Sequence, residues 1–491
     1  MSTPVPLRPQ RHAATPSRAA ARPSGLRDRL SVGALSSLVI GSMIGSGVFS
    51  LPQNMAAGAG AGAILIGWAI TAAGMLALAL MFLQLAQARP EVGGGVYGYA
   101  RAGFGDFVGF QSAWGYWLSA LIGNAGYLVI IFASLDALLP QAGFGAGNTP
   151  AGIAGASLLL WGYHALVLRG VRTAAAVNTL VTLSKLVPLL LFVVLVALAF
   201  KAPTFSFSLW GDAKLGPVFD QVRSTMLVTV WAFIGIEGAS VFSARARSAG
   251  DVGRATMLGF AVTLALYMAI TLLSLGIVPQ AELAQMKNPS MAGVLQQVVG
   301  PWGAVLVNLG LLVSVGGAML SWTLLAAEVP FSAARDAVFP RRMAAENARQ
   351  APAAALWWSN GIVQAVLLLS LLAGNAYLAL IKLATSTILV PYLLCALFAV
   401  QAGRRDSRLL LTGAVAALYS AWLVYAAGPL YLLLTTLVYA PGLVVHAWSR
   451  RARGLPMLAG NVERAVAGAL LAAAALTVVL LANGTLDLAK I

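Results

Sequence analysis

The stretch GSMIGSGVFSLP, residues 41–52, places three glycines inside an otherwise apolar run. A glycine in a helix interior costs about 1 kcal/mol relative to alanine. In lipid, a break in a helix also frees backbone polar groups, which are costly unless another group satisfies them. We interpret the stretch as a discontinuous membrane helix whose freed backbone groups are satisfied by a ligand or by other parts of the protein.

The composition is that of an integral membrane protein. The chain has 491 residues, of which 59% are hydrophobic and 9% are charged, and its mean hydropathy is +0.85. Soluble domains carry about 25% charged residues. The single cysteine, Cys395, excludes an internal disulfide, and the three histidines are scattered, so we predict no metal site, no cofactor and no catalytic constellation.

Apolar runs of about 20 residues, the length that crosses a bilayer, recur along the chain. We predict about thirteen transmembrane helices, near residues 34–54, 62–87, 107–138, 151–168, 173–199, 225–244, 255–279, 303–330, 355–374, 377–401, 409–427, 429–448 and 463–482. The predicted domains are a disordered cytoplasmic tail (1–32), a transmembrane domain (33–450) and an extra C-terminal transmembrane helix (451–491).

The basic residues are distributed unequally between the two sides that these spans create. With the N-terminus inside, twenty-four of the 31 lysines and arginines fall on the inner side, five fall on the outer side, and Lys185 and Lys382 lie within spans. The positive-inside rule therefore predicts a cytoplasmic N-terminus in the inner membrane. We read the net charge of +16 as a topology signal with contact to anionic lipid at the cytoplasmic face, and not as a nucleic-acid surface.

A second interruption occurs in the sixth span, WAFIGIEGASVF (231–242), where Gly235 and Gly238 flank Glu237. Spans 1 and 6 each begin a set of five spans, near 33–200 and 222–402, and the two sets enter the membrane from opposite sides. This pattern predicts an all-α polytopic fold of five-plus-five inverted repeats with discontinuous helices 1 and 6 and a substrate between them. The alternative is that the small residues serve helix packing alone.

The two interruptions suit a zwitterionic ligand. Freed N–H groups at 41–47, together with the dipole of a half-helix starting near Val48, can hold a carboxylate. Freed carbonyl oxygens at 234–238 can hold an ammonium group. Ionisable residues within spans are expensive and are functional candidates by default, which singles out Lys185 and Glu237.

The chain resembles the amino acid–polyamine–organocation superfamily, and within it the basic amino acid/polyamine antiporters. The motifs that carry the resemblance stand in order over residues 30–450: GSMIGSGVFSLP (41–52), GGGVYGYARAGFGDFVGF (93–110), YWLSALIGN (116–124), WAFIGIEGAS (231–240) and LSWTLLAAEVPFSAARDAVFP (320–340). The versions LLAAEVP and FIGIEGA, and the thirteenth span, are most like the arginine–ornithine antiporters.

The resemblance implies roles for the matching residues. Ser46, with Gly45 and Gly47, would bind the substrate carboxylate, and Ile234 would offer a backbone oxygen to the amino group. Trp231 would close over the substrate, Trp322 would pack on its aliphatic part, and Tyr116 and Asn124 would line the site from one face of the third span.

The resemblance and the positions of the remaining polar residues suggest further roles, in gating and in contact with the substrate side chain. Glu237 would act in gating, and Lys185 would reach the carbonyls near Gly41 to Gly45 in place of a sodium ion. Glu328 either lends negative potential to a cation pathway or pairs with Arg335 or another loop arginine. Thr385 and Ser386 are expected to contact the substrate through their side chains. His164 is expected to be a packed, hydrogen-bonded residue. Lys382 has no assigned role.

The sequence thus predicts a secondary transporter, not an enzyme, that exchanges arginine for ornithine by alternating access, with cationic amino acids as substrates and a homodimer as the family-level expectation. Three alternatives stay open. They are a proton-coupled or uniport permease for lysine, polyamine or neutral amino acids, an amino-acid sensor, and an ion channel.

Overall fold

The computed structural model describes residues 32–92, 95–169, 171–207, 209–211, 213–236, 249–349 and 351–486. In these ranges the chain forms helices joined by short loops. The helices before the second break are α1 (Val32–Met43), α2 (Gly47–Ala56), α3 (Ala61–Ala88), α4 (Gly95–Phe104), α5 (Asp106–Leu138), α6 (Pro150–Leu168), α7 (Val171–Leu198), α8 (Ala202–Phe207) and α9 (Val218–Phe233). The later helices are α10 (Ala249–Leu275), α11 (Gln280–Leu283), α12 (Ser290–Val299), α13 (Pro301–Arg335), α14 (Ala353–Leu369), α15 (Ala376–Ala402), α16 (Ser407–Arg451) and α17 (Asn461–Ala482).

The helices follow the predicted spans. In the described part of the chain, nine helices are long and apolar enough to cross a membrane. The remaining spans correspond to α1 and α2, which share the first, to the 28-residue helix α7, which forms the fifth, and to α9, which covers the first part of the sixth. The predicted tail and Glu237 lie outside the described residues.

The helix α16 contains two predicted spans. It runs for 45 residues, about 68 Å at 1.5 Å per residue, whereas the hydrocarbon core of a bilayer is about 30 Å thick. The backbone leaves helical geometry at Gly428, with φ 73° and ψ 168°, directly before Pro429. Since side chains disfavour this positive φ, glycine is the residue that allows the chain to turn between the two spans.

The helix α5 lies in the centre of the bundle, and 89% of its most apolar window is buried. Polar side chains fix it to its neighbours. The Ser119 hydroxyl donates to the Ala384 carbonyl of α15 at 2.7 Å, and the Ser134 hydroxyl donates to Oδ1 of Asn308 on α13 at 2.6 Å. These bonds hold α5, α13 and α15 as one framework around which the broken helices pack.

The last helix, α17, is peripheral. Only 17% of its most apolar window is buried, and it packs against α16, where the Thr477 hydroxyl donates to the Leu433 carbonyl at 3.2 Å. It contributes nothing to the lining of the cavity described below.

An ionic cluster at one end of the bundle joins α4, α5 and α16. Arg101 contacts Asp106 at 2.8 Å, and Arg450 contacts the other oxygen of the same carboxylate at 3.3 Å. The Arg101–Asp106 pair is exposed, and such a pair contributes about 0.2–1 kcal/mol. Arg450, whose side chain is only 11% exposed, connects the end of α16 to the same carboxylate.

Candidate functional site

The first predicted break is present between α1 and α2. The helix α1 ends at Met43 and α2 begins at Gly47, so residues 44–46 are not helical. The first amides of a helix have no partner within it, and its N-terminus carries about half a positive charge. The half-helix expected near Val48 thus starts one residue earlier, at Gly47, and provides an N-terminus in the middle of the bundle.

Lys185 binds the carbonyl end of α1. Its Nζ donates to the Gly41 oxygen at 2.6 Å and to the Ile44 oxygen at 2.7 Å, and the residue is only 2% exposed. The contact with carbonyls near Gly41 to Gly45 that the resemblance implies is therefore present. A third carbonyl of this helix end, that of Met43, accepts from the Tyr267 hydroxyl at 2.9 Å.

The second break begins where α9 ends at Phe233. Ile234 leaves helical geometry with ψ 129°, and Gly235 has φ 109°, a conformation that favours glycine. The described segment stops at residue 236. The opening of the predicted interruption at 234–238 is thus observed, whereas Glu237 and Gly238 lie outside the described residues.

A cavity with about 390 Å³ of unfilled space, part of it open to solvent, lies between the two breaks. Six residues that the sequence predicts for the site line it: Gly45, Gly47, Asn124, Trp231, Ile234 and Trp322. Six that it does not predict join them: Met43, Ser119, Ala120, Gly123, Tyr127 and Ala232. The structure therefore brings residues from both breaks together with α5 and α13.

The glycines of the first break allow bulky side chains to approach the backbone. A Cβ atom on Gly45 would clash with the Tyr127 hydroxyl, and one on Gly47 would lie 2.9 Å from Cδ1 of Trp231. The rings of Tyr127 and Trp231 meet edge to face, with 6.0 Å between their centroids. Alanine at either glycine would push these rings into the cavity or away from the break.

Tyr127 is the functional candidate that the sequence reasoning missed. It lies on the face of α5 that carries Ala120, Gly123 and Asn124, at the i, i+3, i+4, i+7 spacing of one helix face. The Asn124 Oδ1 atom on this face is buried and has no hydrogen-bond partner in the described part of the protein. The helix face that is predicted to carry Tyr116 and Asn124 also includes Tyr127, three residues after Asn124, so the same spacing could have identified it.

Four predicted site residues lie off the cavity lining, so their contact with a substrate stays a prediction. Tyr116 is eight residues from Asn124 along α5, about 12 Å along the axis. Thr385 donates to the Ile381 carbonyl of its own helix at 2.7 Å. Ser386 bonds to the Thr435 hydroxyl at 2.8 Å, so it joins α15 to α16. The fourth, Ser46, lies between two lining residues, and its hydroxyl accepts a hydrogen bond from Tyr377.

The remaining ionisable candidates have other surroundings. Glu328 has no ion-pair partner within 4 Å among the described residues, and Arg335 lies over the Phe331 ring, 5.6 Å from its centroid, so the expected pairing of these two is absent. The Lys382 ammonium lies 5.7 Å from the centroid of the Tyr431 ring. Lys382 is not on the cavity lining.

His164 is the packed, hydrogen-bonded residue that we expected. Its Nδ1 lies 3.1 Å from the Asn360 amide nitrogen, and its ring meets those of Trp161 and Trp357. In the described ranges, no three histidine, cysteine, aspartate or glutamate side chains gather where they could hold a metal ion.

Comparison of the chain with known proteins identifies its family. A family model described as amino acid permease matches residues 30–450. The chain belongs to the amino acid permease family. The matched range contains both breaks and every residue of the cavity, so the family resemblance and the site concern the same part of the molecule.

Several relatives that are similar to this chain are antiporters by name. The arginine/ornithine antiporter of Pseudomonas aeruginosa is 49% identical over 468 residues, covering 91% of this chain and 96% of that protein. A putative arginine/ornithine antiporter of Escherichia coli K12 is 50% identical over 451 residues, covering 91% and 98%. An arginine/agmatine antiporter of Chlamydia caviae is 43% identical over 426 residues, covering 84% and 87%.

Proposed function

We propose that the protein is a secondary transporter that exchanges cationic amino acids, arginine for ornithine, by alternating access. The observation that carries the proposal is the cavity between two helix breaks, which presents a helix N-terminus on one side and a helix C-terminus on the other. The arginine/ornithine antiporters that are 49–50% identical over 91% of the chain support this choice of cargo.

The backbone would recognise the amino-acid end of the cargo. The N-terminus of α2 at Gly47 offers amides and a positive dipole end, which suit a carboxylate. The C-terminus of α9 at Ile234 offers carbonyl oxygens, which suit an ammonium group. The unpartnered Oδ1 of Asn124 is a second acceptor for it, and a buried acceptor without a donor is costly until a ligand fills that role.

Aromatic rings would recognise the cationic side chain of the cargo. Trp231, Trp322 and Tyr127 line the cavity, and a guanidinium or ammonium over such a face gains about 0.5–2 kcal/mol. No lysine or arginine is among the lining residues that the structure describes. We assign Trp231, at the end of α9, to closing the cavity, and Glu237 to the gate beyond it.

We assign less direct roles to the polar residues off the lining. Thr385, Ser386 and Tyr116 would come near the cargo only in another state of the transport cycle, since alternating access moves helices relative to one another. The carboxylate of Glu328 would attract cations toward the pathway. These assignments rest on the motif context of each residue.

Lys185 would take the place of a coupling ion. Its ammonium already satisfies two carbonyls at the end of α1, which is what a bound sodium ion would do at an unwound helix. We therefore expect arginine exchange at the same rate in sodium and in choline buffers. A rate that rises with sodium would contradict this role.

We further propose a cytoplasmic N-terminus, residence in the inner membrane, contact with anionic lipid at the cytoplasmic face and assembly as a homodimer. The uneven distribution of basic residues supports the topology and the lipid contact. The homodimer rests on the family resemblance alone. The five-plus-five inverted repeat accounts for two breaks at the start of two sets of spans.

The proposal is tested by uptake of labelled arginine into proteoliposomes. One set is preloaded with ornithine and the other is empty, both without sodium. Fast uptake only into preloaded vesicles would establish exchange and the cargo pair. Equal uptake into empty vesicles would overturn the antiport claim in favour of a uniporter or a proton-coupled permease, the second candidate, for which a lysine as deeply buried as Lys185 offers a proton-binding group.

Replacing Trp322 by alanine is expected to raise the half-saturation concentration for arginine about tenfold to a hundredfold. The indole lines the cavity, and its loss removes apolar and cation–π contacts of about 1–3 kcal/mol. The matched control is Trp302→Ala on the same helix, because Trp302 is 52% exposed and lies off the cavity. Equal affinities of the two variants in arginine uptake would contradict the assignment.

A further inference from the structure

The hydroxyl of Ser46 is engaged by a side chain from a distant helix. Ser46 precedes α2 as its N-cap residue, but its side chain makes no capping hydrogen bond to that helix. Instead, the Tyr377 hydroxyl donates to the Ser46 oxygen at 3.0 Å across 331 positions of sequence. Tyr377 is the second residue of α15. The bond therefore connects the first break to the helix that forms the tenth predicted span.

The environment of this pair leaves one hydrogen-bond donor without a partner. Ser46 is fully buried and Tyr377 is 4% exposed. A serine hydroxyl carries one hydrogen, and in the described part of the chain we find no acceptor for the hydrogen of Ser46. A buried donor without an acceptor costs free energy. An acceptor supplied by a ligand would remove that cost.

The position of Ser46 indicates where such an acceptor would be. The residues on both sides of it, Gly45 and Gly47, line the cavity. A donor there, at the N-terminus of α2, suits an anionic oxygen. Because the Tyr377 hydroxyl already fills an acceptor position of Ser46, the serine hydrogen is left to point elsewhere.

We propose that Tyr377 is a positioning residue that holds Ser46 as a hydrogen-bond donor to the substrate carboxylate. Tyr377 thereby favours amino acids over amines that lack the carboxylate. The inference rests on the proposed function, since it needs an amino acid in the cavity. Accepting one hydrogen bond also strengthens the next bond that a hydroxyl donates, so the Tyr377 bond raises the affinity of Ser46 for an anion.

The backbone around Tyr377 fixes its position. The Asn375 side chain caps α15 by accepting from the Leu378 amide at 3.2 Å. The ring of Tyr377 is buried, so removal of its hydroxyl leaves the apolar packing in place. Tyr377→Phe keeps the ring and removes the bond to Ser46, together with the weaker interactions of the hydroxyl with Ser50 and Trp231.

The test compares arginine with agmatine, which keeps the guanidinium group but lacks the carboxylate. In proteoliposomes, Tyr377→Phe is expected to raise the half-saturation concentration for arginine about tenfold, the effect of one hydrogen bond to a charged group. Inhibition of that uptake by agmatine is expected to stay within about twofold of the wild type, since agmatine has nothing for Ser46 to bind. The preference for arginine over agmatine thus falls.

Two further variants complete the test. Tyr163→Phe is the matched control, because the Tyr163 hydroxyl donates to the Gly316 carbonyl at 2.8 Å and lies off the cavity; it should leave both affinities unchanged. Ser46→Ala should show the same selective loss, and adding Tyr377→Phe to it should cause no further loss, because the two residues act through one bond.

Equal weakening of arginine and agmatine by Tyr377→Phe would overturn the inference, because it would show a structural role. Unchanged arginine affinity would overturn it as well. Both results differ from a failure of the proposed function, in which the wild-type protein itself would not exchange arginine.

Discussion

Replacing Lys185 by methionine is expected to lower arginine exchange at least about a hundredfold. The ammonium donates to two buried carbonyls at the end of α1, those of Gly41 and Ile44. Each bond to a charged group contributes about 1.5–3 kcal/mol, and buried acceptors left without donors cost more than exposed ones. Without the ammonium the first break loses the geometry that binds the cargo. The measurement is arginine–ornithine exchange in proteoliposomes.

The matched control for this prediction is Lys382→Met. Both lysines lie within spans, but the Lys382 ammonium faces the Tyr431 ring and lies off the cavity. Its replacement is expected to change exchange by less than about threefold, since a cation–π contact contributes about 0.5–2 kcal/mol and no cargo contact is lost. Exchange by Lys185→Met at the wild-type rate would refute the role of Lys185 at the break. Exchange that becomes sodium-dependent in that variant would support the replacement of an ion.

The Gly45→Ala variant is expected to lower the ratio of maximal rate to half-saturation concentration for arginine about a hundredfold. The added Cβ would clash with the Tyr127 hydroxyl, and both residues line the cavity. Overpacking a closely packed site forces shifts that cost about 1–3 kcal/mol, and the methyl group also covers the N-terminus of α2. Initial rates over a range of arginine concentrations give the ratio.

A second-site change and a control sharpen this prediction. Gly45→Ala combined with Tyr127→Phe removes the clashing hydroxyl and is expected to recover about tenfold of the lost activity, because the ring can then settle with a smaller shift. Gly361→Ala on α14 has nothing within 4 Å of its added Cβ and should behave as the wild type. Full activity of Gly45→Ala would show that the cargo does not use the backbone of the first break.

The spans and the breaks could be predicted because their signals are local in the sequence. Runs of about 20 apolar residues mark the spans, and the glycines at 41–47 and at Gly235 mark positions where a helix is interrupted. The structure shows helices at these runs and interruptions at residues 44–46 and at residues 234–236. The six predicted residues on the cavity lining were implied by the family resemblance of the motifs that contain them.

The surroundings of the predicted residues that lie off the cavity lining could not be predicted, because they depend on neighbouring helices. The hydroxyls of Thr385 and Ser386 looked available in the sequence, but one bonds to its own helix and the other to Thr435 on α16. Glu328 and Arg335 are close in sequence and yet form no ion pair within 4 Å. A helical side chain meets a partner only where the packing of helices presents one.

Local sequence patterns are enough to predict that this protein crosses the membrane many times, that two of its helices are interrupted, and that a lysine lies within its spans. Composition and glycine spacing carry this information along a few neighbouring residues. The three-dimensional packing was needed to show that Tyr127 lines the cavity, that Tyr377 bonds to Ser46, and that Lys382 lies off the cavity against Tyr431. These contacts join residues from different helices far apart in the chain, and their geometry arises from helix packing rather than from any local pattern.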